Sequence, residues 1–176
     1  MKYVKLFMPF LSAALVSCSS THEKIWSSPD RATQLRYVKG PQGHTHSNED
    51  SFSFYSLHER QSEKRLITVR SIINEETLDF VQKQRIHFSP SGKTILIEED
   101  ISDASPDYVY TLIYQEDSRY DSRDLALPTR GTSSPHDVYG LWPDVISITD
   151  DAIEYRFLAG ETSTWVKISE LRDRGF

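Results

Sequence analysis

Apolar and polar residues alternate along most of this chain. Ile67, Val69 and Ile73 alternate with Thr68 and Arg70, and Ile95 and Ile97 with Thr94 and Glu98. Phe52 and Phe54 share one face, with Ser51 and Ser53 on the other. Tyr108, Tyr110, Leu112 and Tyr114 face one way while Val109, Thr111 and Ile113 face the other, and Ile153, Tyr155 and Phe157 alternate with Glu154 and Arg156. A period of two, enriched in β-branched and aromatic residues, predicts strands, because successive side chains on a strand point to opposite faces. The pattern sets Glu98 and Glu154 on faces turned away from their apolar neighbours.

The connections agree with strands. The stretch "FSPSGKT", residues 88–94, joins Ile86–Phe88 to Thr94–Ile97; Pro90 presets the first turn residue and Gly92 can take the left-handed conformation that such a hairpin needs. "ISITDDAIEYRFLAGETSTWVKI", residues 146–168, reads as three strands with turns at Asp150-Asp151 and Gly160-Glu161. Residues 74–83 allow two readings: a helix capped by Asn74, with Glu75 and Glu76 at its positive end and Lys83 at its negative end, or a strand through Leu78 and Phe80. The expected fold is mostly β: a single compact antiparallel β domain over 33–176, a sandwich or a curved sheet, with at most one short helix near 74–83.

Phe88-Ser89-Pro90-Ser91-Gly92-Lys93 resembles the "FSPDGK" hairpin of β-propeller blades. A propeller needs at least four blades of roughly 40 residues each. The motif is read once, and no repeat of regular period is found, so the resemblance is taken as shared turn chemistry. Polar stretches at 40–51 ("GPQGHTHSNEDS"), 116–124 and 128–137 ("PTRGTSSPHD") read as loops. Residues 18–32, rich in Ser and Thr, read as a tether, with Trp26 as an early core residue.

The N-terminus changes the picture. Lys2 and Lys5 precede an uncharged, mostly apolar run from Leu6 to Leu15, and small residues follow, which is the layout of a signal peptide over 1–17. The run is shorter than the roughly 20 residues a membrane-spanning helix needs. Leu15-Val16-Ser17-Cys18 resembles the lipobox of bacterial lipoproteins, and Cys18 is the single cysteine of the chain. The resemblance implies cleavage before Cys18, a diacylglyceryl group on its thiol, an acylated (palmitate-type) amino terminus, and anchoring in a cell-envelope membrane. A thiolate suits attack on a lipid donor. Two or three acyl chains on one residue hold a protein far better than one, which binds only marginally. Ser19 stands where Asp would favour inner-membrane retention in Gram-negative members, which points to the outer membrane.

Cleavage leaves 159 of the 176 residues, with 18 basic against 26 acidic side chains and a formal charge of −8. One domain with its own core fits that length, and the charge argues against nucleic acid or anionic lipid as partner. Candidate chemistry is sparse. His44, His46, Glu49, Asp50 and His58 lie near one another in sequence, but in a Gly/Pro/Ser loop whose geometry is not fixed, and a solvated loop is the plainer reading. His136-Asp137 follows Ser133 and Ser134, yet adjacent residues of one loop rarely form a triad, and no G-x-S-x-G elbow is present. His87, between Ile86 and Phe88, reads as an outward or satisfied strand histidine. The acids Glu98, Glu99, Asp100, Asp103, Asp107, Glu116, Asp117 and Asp121 do not follow an EF-hand pattern. Tyr139 to Asp144 ("YGLWPD") reads as a core corner or a recognition surface. No cofactor or metal set is assigned. The sequence supports a membrane-anchored lipoprotein that binds an envelope protein or a glycan without catalysis. The alternative is a lipid-anchored hydrolase whose carboxylates and histidine converge in space.

Overall fold

A computed structural model describes residues 23–38, 53–71, 84–100, 108–130 and 142–172. They form eleven strands: β1 (Glu23–Ser27), β2 (Thr33–Val38), β3 (Phe54–Glu59), β4 (Arg65–Arg70), β5 (Gln84–Phe88), β6 (Thr94–Asp100), β7 (Tyr108–Glu116), β8 (Arg119–Leu125), β9 (Asp144–Ile148), β10 (Ala152–Arg156) and β11 (Thr164–Lys167). A 3-10 turn over Ile168–Glu170 follows. Each strand pairs antiparallel with its sequence neighbour inside three sheets, ordered β1-β2-β3-β4, β5-β6-β7-β8 and β11-β10-β9. The chain therefore forms the mostly-β antiparallel domain its alternation predicts. Short connections leave consecutive strands adjacent. The segment 74–83, read as helix or strand, lies outside the described residues.

Two apolar clusters stack the sheets in series. Leu35, Tyr37, Tyr55 and Leu57 of the first sheet meet Ile95, Ile97 and Ile113 of the second. From its other face, Leu96, Tyr110, Leu112 and Leu125 meet Val145, Ile148 and Ile153 of the third. The middle sheet is covered on both sides, so the first six positions of β6 are all buried. Strict alternation thus misplaced Glu98: it does point away from Ile95 and Ile97, but into the second cluster's interface and not into water. The same logic corrects β3. Tyr55 and Leu57 carry the buried face, while Phe54 is only half-buried; Phe52 lies outside the described residues. Phe157 falls just past the end of β10, half-buried, with its ring edge-on to Tyr155 at 5.5 Å. Ile153 and Tyr155 make the buried face of that strand.

The tether is shorter than its serine content suggests. Glu23–Ser27 is β1, paired along its length with β2, and Trp26 packs against the first cluster. Residues 28–32 form the β1–β2 turn, and only 18–22 of the expected tether lie outside the described residues.

That turn overturns the reading of a motif that occurs once. In the β5–β6 turn, Ser89 N–H donates to Thr94 O at 2.8 Å, Gly92 N–H to Ser89 O at 2.9 Å, Thr94 N–H to Ser89 Oγ at 3.1 Å and Lys93 N–H to Ser91 Oγ at 3.1 Å. In the β1–β2 turn, Ser28 N–H donates to Thr33 O at 3.1 Å, Arg31 N–H to Ser28 O at 2.9 Å, Thr33 N–H to Ser28 Oγ at 3.0 Å and Ala32 N–H to Asp30 Oδ1 at 2.9 Å. The left-handed position is Gly92 (φ 71°) in one and Arg31 (φ 59°) in the other. A third, shorter turn keeps the logic: Thr149 N–H donates to Ala152 O at 2.8 Å and Ala152 N–H returns to Thr149 Oγ1 at 3.0 Å. The three turns line one rim. A Cβ on Gly92 would stand 3.1 Å from both Asp30 Oδ1 and Ser28 Cβ, and Ser91 Oγ donates to Asp150 Oδ1 at 2.6 Å. Successive antiparallel meanders stacked face to face are how propeller blades pack, but among the described residues there are three such sheets and no closed ring.

Matching the turns matches the faces. Leu35 and Leu96, each two positions past the turn threonine, look toward the next sheet; the corresponding residue of the third sheet is Glu154. Ile95 and Ile153 look toward the preceding sheet; their counterpart in the first is Gln34, followed by Arg36. At these positions both ends of the stack are polar where its interior is apolar, although exposed Ile25, paired with Arg36, and Trp165, paired with Glu154, share the outer faces.

Candidate functional site: a groove between the first two sheets

The middle strand β6 carries two consecutive buried carboxylates, one for each interface. Glu99 is 1% exposed and faces the first sheet, where its Oε1 accepts from Tyr55 Oη at 2.8 Å and from Ser71 Oγ at 2.6 Å. Burial, then the Glu99 charge, drives the Tyr55 hydroxyl far above its ordinary pKa and keeps it a donor. Glu98 is fully buried and faces the third sheet. Its Oε1 lies 2.7 Å from Nη2 of Arg85, an ion pair without hydrogen-bond geometry, and its Oε2 lies 3.3 Å from His87 Nε2. Arg85 also donates to Asp144 Oδ1 at 2.7 Å, while Arg156 reaches Asp144 Oδ2 at 3.3 Å and Tyr108 covers the Arg85 guanidinium at 5.7 Å. Partial burial pulls the Arg85 pKa down, but the Asp144 hydrogen bond and the Glu98 charge outweigh it and hold it up. Alternation on a middle strand has produced charged ties to both neighbouring sheets.

A groove of about 430 Å³ opens beside the Glu99 tie, between β4 on one side and β7–β8 on the other. Its walls are Val69, Arg70, Ser71, Thr111, Ser122, Arg123 and Asp124. Residues 69 and 71 share a face of the first sheet, and Thr111, Ser122 and Asp124 share the facing side of the second. Ser71 is buried and fixed twice, through its hydroxyl to Glu99 and through its N–H to Ser53 O at 3.0 Å. Thr111 Oγ1 donates to Asp124 Oδ1 at 2.9 Å and orients that carboxylate. Arg123 sends Nη2 to Ile168 O at 2.9 Å, so its stem and not its head lines the groove. The sequence reading missed this site because its residues come from three strands and none belongs to a recognisable motif. The one trace available was the excess of hydroxyl residues at positions facing apolar neighbours.

The residues singled out from sequence are dispersed. His58 is a satisfied strand histidine, with Nδ1 3.2 Å from Glu63 O and Nε2 3.0 Å from Ser56 Oγ. His87 is the Glu98 contact. Glu116, Asp117 and Asp121 sit on the exposed β7–β8 hairpin. Trp142 packs edge-on to Tyr108 and against Tyr110, which favours the core-corner reading. Cys18, His44, His46, Glu49, Asp50, Asp103, Asp107, Ser133, Ser134, His136, Asp137 and Tyr139 lie outside the described residues. Among the described residues no group of three or more His, Cys, Asp or Glu is close enough to hold a metal ion, and no helix is long and apolar enough to cross a membrane. No protein-family model, curated protein or solved structure matches the chain.

Proposed function

We propose that this chain is a bacterial lipoprotein, anchored through acyl groups on Cys18, whose β domain binds a component of the cell envelope. The observation that carries the reading is the basic, apolar and small-residue order ending in Leu15-Val16-Ser17-Cys18. The acidic balance of the remaining chain turns the body away from nucleic acid and anionic headgroups. The early start of β1 adds a constraint. Four residues separate Cys18 from Glu23, and the five steps between them span about 17 Å at full extension. The β domain is thus held close to the membrane that carries the acyl chains, and its ligand is one within reach of that surface. The buried carboxylates support binding over catalysis, since Glu99 is committed to Tyr55 and Ser71 and Glu98 to Arg85 and His87. Replacing Cys18 with Ala and fractionating cells tests the anchor: the variant should remain unprocessed or leave the membrane fraction. A variant processed and sedimenting like the natural protein would sink the reading.

A further inference from the structure

We propose that the groove between β4 and β7–β8 is a binding site for a neutral sugar, a segment of an envelope glycan; this rests on the envelope-binding reading above. Arg123 turns its guanidinium away to Ile168 O, which leaves Arg70 as the cation whose residue frames the groove, against Asp124 in the wall and Glu99 behind Ser71. Glu99 is taken up by Tyr55 and Ser71, and a neutral polar ligand loses less solvation on entering than an ion does.

The second step is hydrogen-bond capacity. A sugar hydroxyl donates and accepts at once, so it needs a wall that offers both. Asp124 accepts Thr111 on Oδ1 and leaves Oδ2 without a protein partner among the described residues. Ser122 Oγ, one strand position away on the same face, is likewise without one. A carboxylate oxygen beside a hydroxyl pairs with two adjacent ring hydroxyls, one donating to Asp124 and the other exchanging with Ser122. Val69 supplies an aliphatic surface for the C–H side of the ring. Thr111 fixes the Asp124 carboxylate in advance, which lowers the ordering cost of binding. The volume lies within the usual range for small-molecule sites.

The test uses the full chain in detergent, titrated by calorimetry with two neutral probes, a β-1,4 tetramer of N-acetylglucosamine and maltotetraose, and with cadaverine as a cationic control. Saturable binding of at least one saccharide is expected. Asp124→Asn should weaken it about tenfold or more, and Ser122→Trp, which fills the groove, should abolish it. Asp121→Asn, exposed on the hairpin, should change nothing. Urea midpoints near that of the natural protein show that each variant still folds. Failure of both saccharides to bind, binding unchanged in Asp124→Asn and Ser122→Trp, or cadaverine binding through Asp124 would each overturn the proposal. The anchor stands or falls apart from this: release of Cys18→Ala from the membrane alongside silent titrations would remove the groove reading alone.

Discussion

The tie between the first two sheets can be measured by removing one oxygen. Tyr55 and Glu99 are each 1% exposed, and the tyrosine hydroxyl donates to Glu99 Oε1 at 2.8 Å. Tyr55→Phe keeps the ring, with its contacts to Tyr37 at 5.1 Å and Trp26 at 6.5 Å, and removes only the donor. A hydrogen bond to a charged group contributes about 1.5–3 kcal/mol, and a buried carboxylate that loses a donor gains no water in exchange. For a urea m-value of about 2 kcal/mol/M, the midpoint should fall by about 1 M. The control is Tyr155→Phe: Tyr155 is 7% exposed on the buried face of β10, and its hydroxyl has no protein partner among the described residues. That change should stay within about 0.5 kcal/mol. Both are read by equilibrium urea unfolding followed through tryptophan fluorescence. A double-mutant cycle with Ser71→Ala should show coupling, because both hydroxyls reach the same oxygen. If Tyr55→Phe unfolds at the same urea concentration as Tyr155→Phe, the charged tie does not hold these sheets together.

Three further outcomes follow from the same geometry. Burial first, and Glu99 or Glu98 second, raise the pKa of Tyr55 and Tyr110 above their ordinary 10.0, so the folded chain keeps two protons that the unfolded chain sheds. Their stability contribution is whole below that value and is lost as pH rises above it, at about 2.7 kcal/mol per pH unit for two groups; equal stability at about pH 9 and pH 11 would contradict it. Gly92→Ala should cost about 1–2 kcal/mol, from a left-handed φ and a Cβ pressed 3.1 Å from Ser28 and Asp30, while Arg31→Gly should stabilise slightly; thermal melts that rank them the other way would refute the turn geometry. Glu154→Leu should raise the oligomeric fraction in sedimentation at equal concentration, since the new side chain joins exposed Trp165, paired across from it, and Ile146; an unchanged distribution would show that Glu154 does not keep this face apart.

Strands with clear alternation were legible in the sequence because a period of two is a local property: the pairs Ile67/Val69, Ile95/Ile97 and Ile153/Tyr155 all fall in strands on the faces the alternation implies, whereas 116–124, polar enough to read as a loop, holds most of β8, an edge strand with polar residues on both faces. What alternation could not reveal was how many sides of a strand are covered. Glu98 and Leu96 lie on one face of β6, and only the third sheet, encoded some fifty residues later, makes that face an interior. The tether was misjudged for a related reason. Ser27, Ser28 and Pro29 look like linker composition, yet Ser28 is 2% exposed and builds the first turn with its hydroxyl. The repeat was hidden because the conserved geometry rests on Ser28 and Thr33 against Ser89 and Thr94, while the residue that advertises the turn, Gly92, is replaced by Arg31. The groove left little local trace, hydroxyl residues at positions facing apolar neighbours, since Ser71, Thr111 and Asp124 acquire meaning only when two sheets meet.

The two ends of the three-sheet stack, among the described residues, differ from its interior. A meander with two apolar faces calls for a neighbour on each side, which drives repeat architectures either to close into a ring or to cap their ends. Here the interior positions are Leu35 against Ile95 and Leu96 against Ile153, all buried. At the same positions on the outer faces stand Gln34 and Arg36 at the front and Glu154 at the back. Arg36 is paired with Glu63 of its own sheet, and Glu154 accepts from Ser147 at 2.7 Å and Ser163 at 2.6 Å. These charged groups thus find partners within their own sheets, although Arg36 Nε is left without one. The Ser163 and Ser147 hydrogen bonds also hold the Glu154 carboxyl below its ordinary pKa, so it stays charged, and a charge on an outer face opposes the packing of another apolar sheet there. The outer faces therefore mix charge with exposed apolar side chains, Ile25 beside Arg36 at the front and Trp165 beside Glu154 at the back, and the charge limits how closely another sheet can pack on them.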